Sequence, residues 1–301
     1  MAVWTTDDIP DLSGRRAIVT GANSGIGYQT ALQLVRHGAT VVLACRSPER
    51  GAAALDRLRD EAPDADATLA ALDLADLASV RAFSERHSGR PLDILINNAG
   101  VMALPRRVTA EGFEMQFGIN HLGHFALTGL LLPALRAAGA PRVVTVTSNG
   151  AWGGRIRFDD LQGERRYQRW VAYARSKVAN LIFAKELDRR VPGLISAAAH
   201  PGYAATNLVF HGSKLRQAFY GLGNMLFAQS DAAGAWPSLY AATAPDAVGG
   251  ECYGPSGPGQ QRGRPTRVRT TGYAARTDVG RRLWEVSEEL TGVTFEVASP
   301  G

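Results

Sequence analysis

Short aliphatic, β-branched runs alternate with longer helical segments along most of this chain, and that alternation restricts the fold more than any other feature. Residues 16–20 (RAIVT), 40–44 (TVVLA), 67–72, 92–96, 142–147 and 194–199 read as strands. Between them, 28–36, 48–60, 77–86, 113–136 and 173–190 read as helices, with 113–136 expected as one long helix. Strands that are apolar throughout, rather than alternating, are buried on both faces, which calls for a parallel sheet covered by helices on either side. The expected fold class is a doubly wound α/β sheet.

No repeat and no linker divides the 301 residues, so one domain over 1–301 is expected. Its core would span about 12–253, with an apolar segment at 203–230 acting as a substrate lid and a C-terminal extension over 254–301. In that extension the Gly/Pro-rich stretch 254–265 reads as a surface loop, between a last strand at 250–253 and a final helix at 279–290. A composition of 45% hydrophobic and 20% charged residues supports an ordinary core. Cys45 and Cys252 form no CxxC pair, which argues against a disulfide scaffold or zinc ribbon and suits a cytoplasmic setting. The first residues carry no apolar signal region. The longest apolar stretch, 122–135, contains His124 and Pro133 and is too short to span a bilayer.

The charge balance is 33 basic against 28 acidic residues, and 30 of the basic residues are arginine. Arg262, Arg264, Arg267 and Arg269 cluster without aromatic platforms or a recognisable nucleic-acid module, so no nucleic-acid partner is expected. The three lysines, Lys177, Lys185 and Lys214, stand where arginine was the common choice, and each is a candidate for chemistry that a guanidinium performs poorly.

Between the first strand and the first helix lies Thr20-Gly21-Ala22-Asn23-Ser24-Gly25-Ile26-Gly27. A glycine-rich turn at a helix start presents unpaired N–H groups and the positive end of the helix dipole, which suits a pyrophosphate. Gly21 would permit the tight turn, Gly25 the close approach of phosphate and Gly27 close helix–strand packing, as in a Rossmann-type dinucleotide site. At the end of the second strand, Cys45 and Arg46 stand where a carboxylate would favour the free ribose of NAD. Arg46 instead offers charge-assisted hydrogen bonds to a 2′-phosphate, so NADP(H) is favoured over NAD(H).

Tyr173 and Lys177 are four residues apart on an expected helix and share one face. An ammonium beside a phenol stabilises phenolate and lowers the phenol pKa, which makes tyrosine a usable proton donor and acceptor. At the end of the fifth strand, Thr147 and Ser148 compete as the hydroxyl that would hydrogen-bond a substrate oxygen. His121 and His124 lack a third ligand, and no metal is expected.

The GxxxGxG turn, ACR at 44–46, NNAG at 97–100, NHLGHF at 120–125, RIRFDDL at 155–161 and YARSK at 173–177 occur in order. Together they resemble the short-chain dehydrogenase/reductase family, in particular its retinol dehydrogenase-like and protochlorophyllide reductase-like branch, from about residue 12 to 291. The resemblance implies a catalytic Ser148, Tyr173 and Lys177, with Asn120 helping to hold the lysine through water. It also implies that Asp73 contacts the adenine amino group with Leu74 beside the ring, that Asn97, Ala99 and Gly100 border the cofactor, and that Pro201, Gly202 and Thr206 meet the nicotinamide.

The implied reaction interconverts an alcohol and a ketone or aldehyde. Aromatic residues between Ser148 and Tyr173 and the apolar 203–230 segment point to a bulky hydrophobic small molecule. Two other readings stay open: a sensor that binds NADP(H) without turnover, and a reductase of C=C bonds on the same scaffold. Helices 113–136 and 173–190 suit either a homodimer or higher homo-oligomer, or the core of a single chain.

Overall fold

The computed structural model describes residues 4–202 and 230–296. Eight strands form one sheet in the order β3-β2-β1-β4-β5-β6-β7-β8. They are β1 (Arg16–Thr20), β2 (Thr40–Cys45), β3 (Ala67–Ala71), β4 (Ile94–Asn97), β5 (Arg142–Val146), β6 (Ile195–Ala199), β7 (Cys252–Pro255) and β8 (Pro265–Arg267). β1 to β7 pair in parallel, and β8 closes the edge antiparallel to β7. Strand order reverses between β1 and β4, which leaves a crevice at their carboxyl ends, the place where sheets of this kind bind ligands.

Both faces of the sheet are covered, as continuous apolar strands require. On one face α1 (Gly25–Arg36), α2 (Pro48–Glu61) and α8 (Asp231–Thr243) bury Leu32, Leu34, Leu58 and Leu239. On the other lie α3 (Leu77–His87), the 115–136 segment, α7 (Arg169–Arg190) and α9 (Thr277–Thr291). Here Phe125, Phe183, Trp284 and Phe295 interlock, with Phe125 5.1 Å from Trp284 and Trp284 4.5 Å from Phe295 between ring centroids. Aromatic pairs at these spacings add edge-to-face attraction to their burial. The last helix therefore completes the core.

Two expectations change. The single helix over 113–136 is broken into α4 (Met115–Phe117), a π-helical turn Gly118–Leu122, α5 (Gly123–Leu130) and α6 (Leu132–Arg136). Asn120 sits in the π turn, and Pro133, which has no N–H to donate, accompanies the break at Leu131. The stretch read as a surface loop is instead part of a hairpin: β7 extends to Pro255, and the chain returns as β8 from Pro265. Periodicity could not reveal this, since Gly and Pro mark turns without saying what the flanking residues pair with.

No helix among the described residues is long and apolar enough to cross a membrane. Residues 203–229 of the expected lid lie outside the described residues, and Ser230 caps α8 by accepting the Ala233 N–H.

Candidate active site

The crevice at the strand-order reversal is a cavity of about 440 Å³. Gly21, Asn23, Ser24, Gly25, Ile26 and Gly27 line one end of it. The turn bends through left-handed backbone at Gly21 and Gly25, φ +68° and +59°; the Gly21 N–H is spent on the Ala44 carbonyl, and the first N–H groups of α1, after Ser24, have no acceptor within the helix. A Cβ on Gly27 would collide with Asn98 Nδ2 and the Gly21 carbonyl oxygen, so the start of α1 packs against the turn through glycine alone. Thr20, the last residue of β1, ties this turn to β4. Its Oγ1 accepts the N–H groups of Asn98 and Ala99 at 2.9 Å each and lies 2.9 Å from His124 Nε2.

Beyond the turn, Arg46, Ser47 and Arg50 line the cleft together with Leu72, Asp73 and Leu74. Ser47 caps α2 by accepting the Arg50 N–H, and Pro48 occupies the first turn, where a missing N–H costs nothing. Two guanidinium groups thus flank one helix start. Neither forms an ion pair among the described residues, an arrangement suited to an added phosphate. Asp73 is held in place by its own backbone: Oδ1 accepts the Ala75 N–H, and the Asp73 N–H donates to Ser79 Oγ. The residues present fit a nicotinamide dinucleotide: a glycine turn leading into the start of α1, and two cations at the start of α2 with no carboxylate partner among the described residues.

At the opposite end Ser148, Tyr173, Lys177, Pro201 and Gly202 line the same cleft. The structure separates the two candidate hydroxyls after β5. Thr147 Oγ1 donates to the Lys177 carbonyl at 2.7 Å, whereas Ser148 Oγ caps a 3-10 turn by accepting the Gly150 N–H and shares a hydrogen bond with Tyr173. Lys177 is only 5% exposed; its Nζ donates to the Val146 carbonyl at 3.0 Å and stands 5.9 Å from the Tyr173 ring centroid.

Burial pushes the lysine down to about 8 and lifts the Tyr173 phenol above its ordinary range, with Ser148 pulling it partly back. The expectation that Lys177 lowers the phenol pKa is not met in this geometry. Desolvation dominates, and the ammonium is directed at a carbonyl rather than at the phenol oxygen.

Two other expected residues take different places. Asn97 is fully buried, with Nδ2 donating to Thr128 Oγ1; Asn98 is the one that faces the cleft, with its Nδ2 on the Thr20 carbonyl. Asn120 lies behind the cleft wall. Its Oδ1 accepts the Val101 N–H, and its Nδ2 donates to the Val101 carbonyl and to Ser176 Oγ. Thr206 lies outside the described residues. Ala99 and Gly100 do border the cleft, beside Val101, Met102 and Ile119, which sequence reasoning did not single out. Ser47 and Arg50 were also missed, although R-S-x-x-R directly after the second strand was a readable signal.

Comparison with known proteins gives consistent relatives. A family model described as short chain dehydrogenase matches residues 15–213. Retinol dehydrogenase 13 of Homo sapiens is 41% identical over 293 residues, covering 94% of this chain and 86% of that protein. Retinol dehydrogenase 12 of Mus musculus is 39% identical over 291 residues, covering 95% and 89%. Among solved structures, an uncharacterized protein from Mycobacterium Paratuberculosis superimposes with a TM-score of 0.82 at 41% identity, covering 98% of this chain and all of that one. A Beutenbergia cavernae protein, described as an NAD(P) dependent gluconate 5-dehydrogenase with bound NADP at low occupancy, gives a TM-score of 0.64 at 25% identity, covering 80% and 95%.

Proposed function

Because this chain belongs to the short-chain dehydrogenase family, we propose that it is an NADP(H)-dependent oxidoreductase that interconverts a bulky apolar alcohol with its ketone or aldehyde. The observation that carries the reading is a convergence. Ser148, Tyr173 and Lys177 border the same cleft as the glycine turn and the Arg46–Arg50 pair. When bound, the nicotinamide supplies the hydride in reduction and accepts it in oxidation.

In the reducing direction Tyr173 gives its phenolic proton to the carbonyl oxygen, and Ser148 donates a hydrogen bond to that oxygen as negative charge gathers there. Lys177, with its pKa near 8, is largely cationic at neutral pH, and from its place beside Tyr173 it would hold the ribose hydroxyls of the bound cofactor. Asn120 works as a positioning residue: both groups of its amide are engaged, and it anchors Val101 in the cleft wall.

Apolar side chains line the cleft, Val101, Met102 and Ile119 among them, and Trp170 meets Tyr173 edge to face at 6.4 Å. The relatives named for retinol fit such a site, and a retinoid is one member of the substrate class it suits. The test is NADPH oxidation across aldehydes and ketones of graded size, all-trans-retinal included. Turnover is expected to favour the larger apolar carbonyls. Tyr173→Phe is expected to lower kcat by about 10²–10⁴-fold, and a variant that keeps wild-type turnover overturns the mechanism.

A further inference from the structure

The loop joining β7 to β8 has no part in the reaction as derived, yet it reaches the catalytic end of the cleft from the C-terminal extension. We propose that Gln260, in this loop, is a positioning residue that holds the Pro201–Gly202 turn against the nicotinamide end of the cleft. The proposal rests on the cofactor reading above.

The contacts form a chain. Gln260 Oε1 lies 2.9 Å from Nε2 of His200, and the Gly202 N–H donates to Nδ1 of the same ring at 3.2 Å. A ring nitrogen that accepts carries no proton, so the single proton of neutral His200 is on Nε2 and is donated to Gln260 Oε1. Burial keeps the ring neutral, with its pKa down to about 4. One glutamine acceptor thereby selects the tautomer that receives Gly202.

The turn also lies directly on the loop: Gly202 has φ +71°, and a Cβ there would collide with the Gln261 carbonyl and approach Pro255. On its other side the loop reaches the residue after Ser148, since Asn149 Nδ2 donates to the Gln260 carbonyl at 3.2 Å. Gln260 itself has φ +56°, a left-handed conformation that side chains other than glycine rarely adopt. Glycine would suit that backbone better, so the position carries a strained side chain whose terminal oxygen faces His200.

The experiment titrates NADPH, and separately an adenosine bisphosphate that has the 2′-phosphate but no nicotinamide, against wild-type protein, Gln260→Gly and Gln260→Glu, by calorimetry. Gln260→Gly relaxes the backbone and removes the acceptor, so a purely structural role predicts unchanged or tighter binding. The positioning role predicts NADPH binding weakened about tenfold, adenosine bisphosphate binding unchanged, and substantial recovery in Gln260→Glu, which keeps an oxygen opposite His200. Wild-type NADPH affinity in Gln260→Gly overturns the proposal, and so does an equal loss for both ligands. If the wild-type protein binds neither ligand, the cofactor reading fails first and the proposal falls with it. Wild-type binding of both, with no effect of Gln260→Gly, sinks the proposal alone.

Discussion

The two ends of the cleft are built in different ways. The end proposed for the dinucleotide comes largely from two turns near in sequence, Gly21 to Gly27 and then Arg46, Ser47 and Arg50, which follow consecutive strands. Its lining is glycine backbone and side chains at helix starts, so local conformation nearly suffices to make it. At the catalytic end Ser148 follows β5, Tyr173 and Lys177 lie on α7, Pro201 follows β6, and Gln260 reaches in from the edge hairpin. Only a correctly ordered sheet brings these together. The first end should therefore fail by losing a ligand and the second by losing chemistry.

Substitutions can separate the two modes of failure. The largest effect belongs to Tyr173→Phe, whose loss of turnover is expected to leave NADPH affinity unchanged in a binding titration; a parallel loss of affinity would mean that the ends are not independent. Gly27→Ala is the counterpart at the other end. Its new Cβ must displace Asn98 or the Gly21 carbonyl, so NADPH binding should fall together with a stability loss of about 1–3 kcal/mol, read by titration and thermal melting. Arg46→Ala should weaken NADPH about tenfold while leaving NADH alone, the loss of one charge-assisted hydrogen bond. Arg50→Ala should act in the same direction, and an unchanged NADPH-to-NADH preference in the double variant would rule out a 2′-phosphate site there.

The smallest effect concerns Lys177, where the two ends meet. Its folded pKa, about 8, is below the ordinary lysine value of 10.5. Between those values the unfolded chain binds more protons than the folded one, so stability rises with pH in that window. Below it, the cost of the buried ammonium is fully present. Lys177→Met is expected to melt above the wild type near neutral pH, with the gap closing in alkaline buffer. Val146 keeps a partner in that variant, because Asn180 Nδ2 also donates to its carbonyl. A melting difference that does not narrow with pH would assign the effect to packing instead of charge.

Much of the fold was legible because apolar periodicity and glycine turns are local signals. The seven parallel strands and the helices that cover them follow from it, and so does the cleft at the strand-order reversal. Single-residue choices were less accessible. Asn97 and Asn98 are adjacent, yet one is buried against Thr128 and the other faces the cleft, a distinction set by where β4 ends. Thr147 and Ser148 divide in the same way, settled only by the Lys177 carbonyl that occupies the threonine hydroxyl. The break in the 115–136 segment escaped the helical pattern because residues 116–129 are all buried, so no polar face records the shift in phase that the π turn introduces.

The sequence by itself determined the α/β class, the dinucleotide turn and the Tyr173–Lys177 spacing, since each depends on residues within a few positions of one another. Only the tertiary structure decided how the C-terminal segment packs into the rest of the molecule. Trp284 and Phe295 complete the aromatic core, and the hairpin loop reaches His200 and Asn149. Contacts across such separations leave no periodic trace along the chain. They exist because a parallel sheet lines up the carboxyl ends of its strands, and the turns that follow those strands share one cleft.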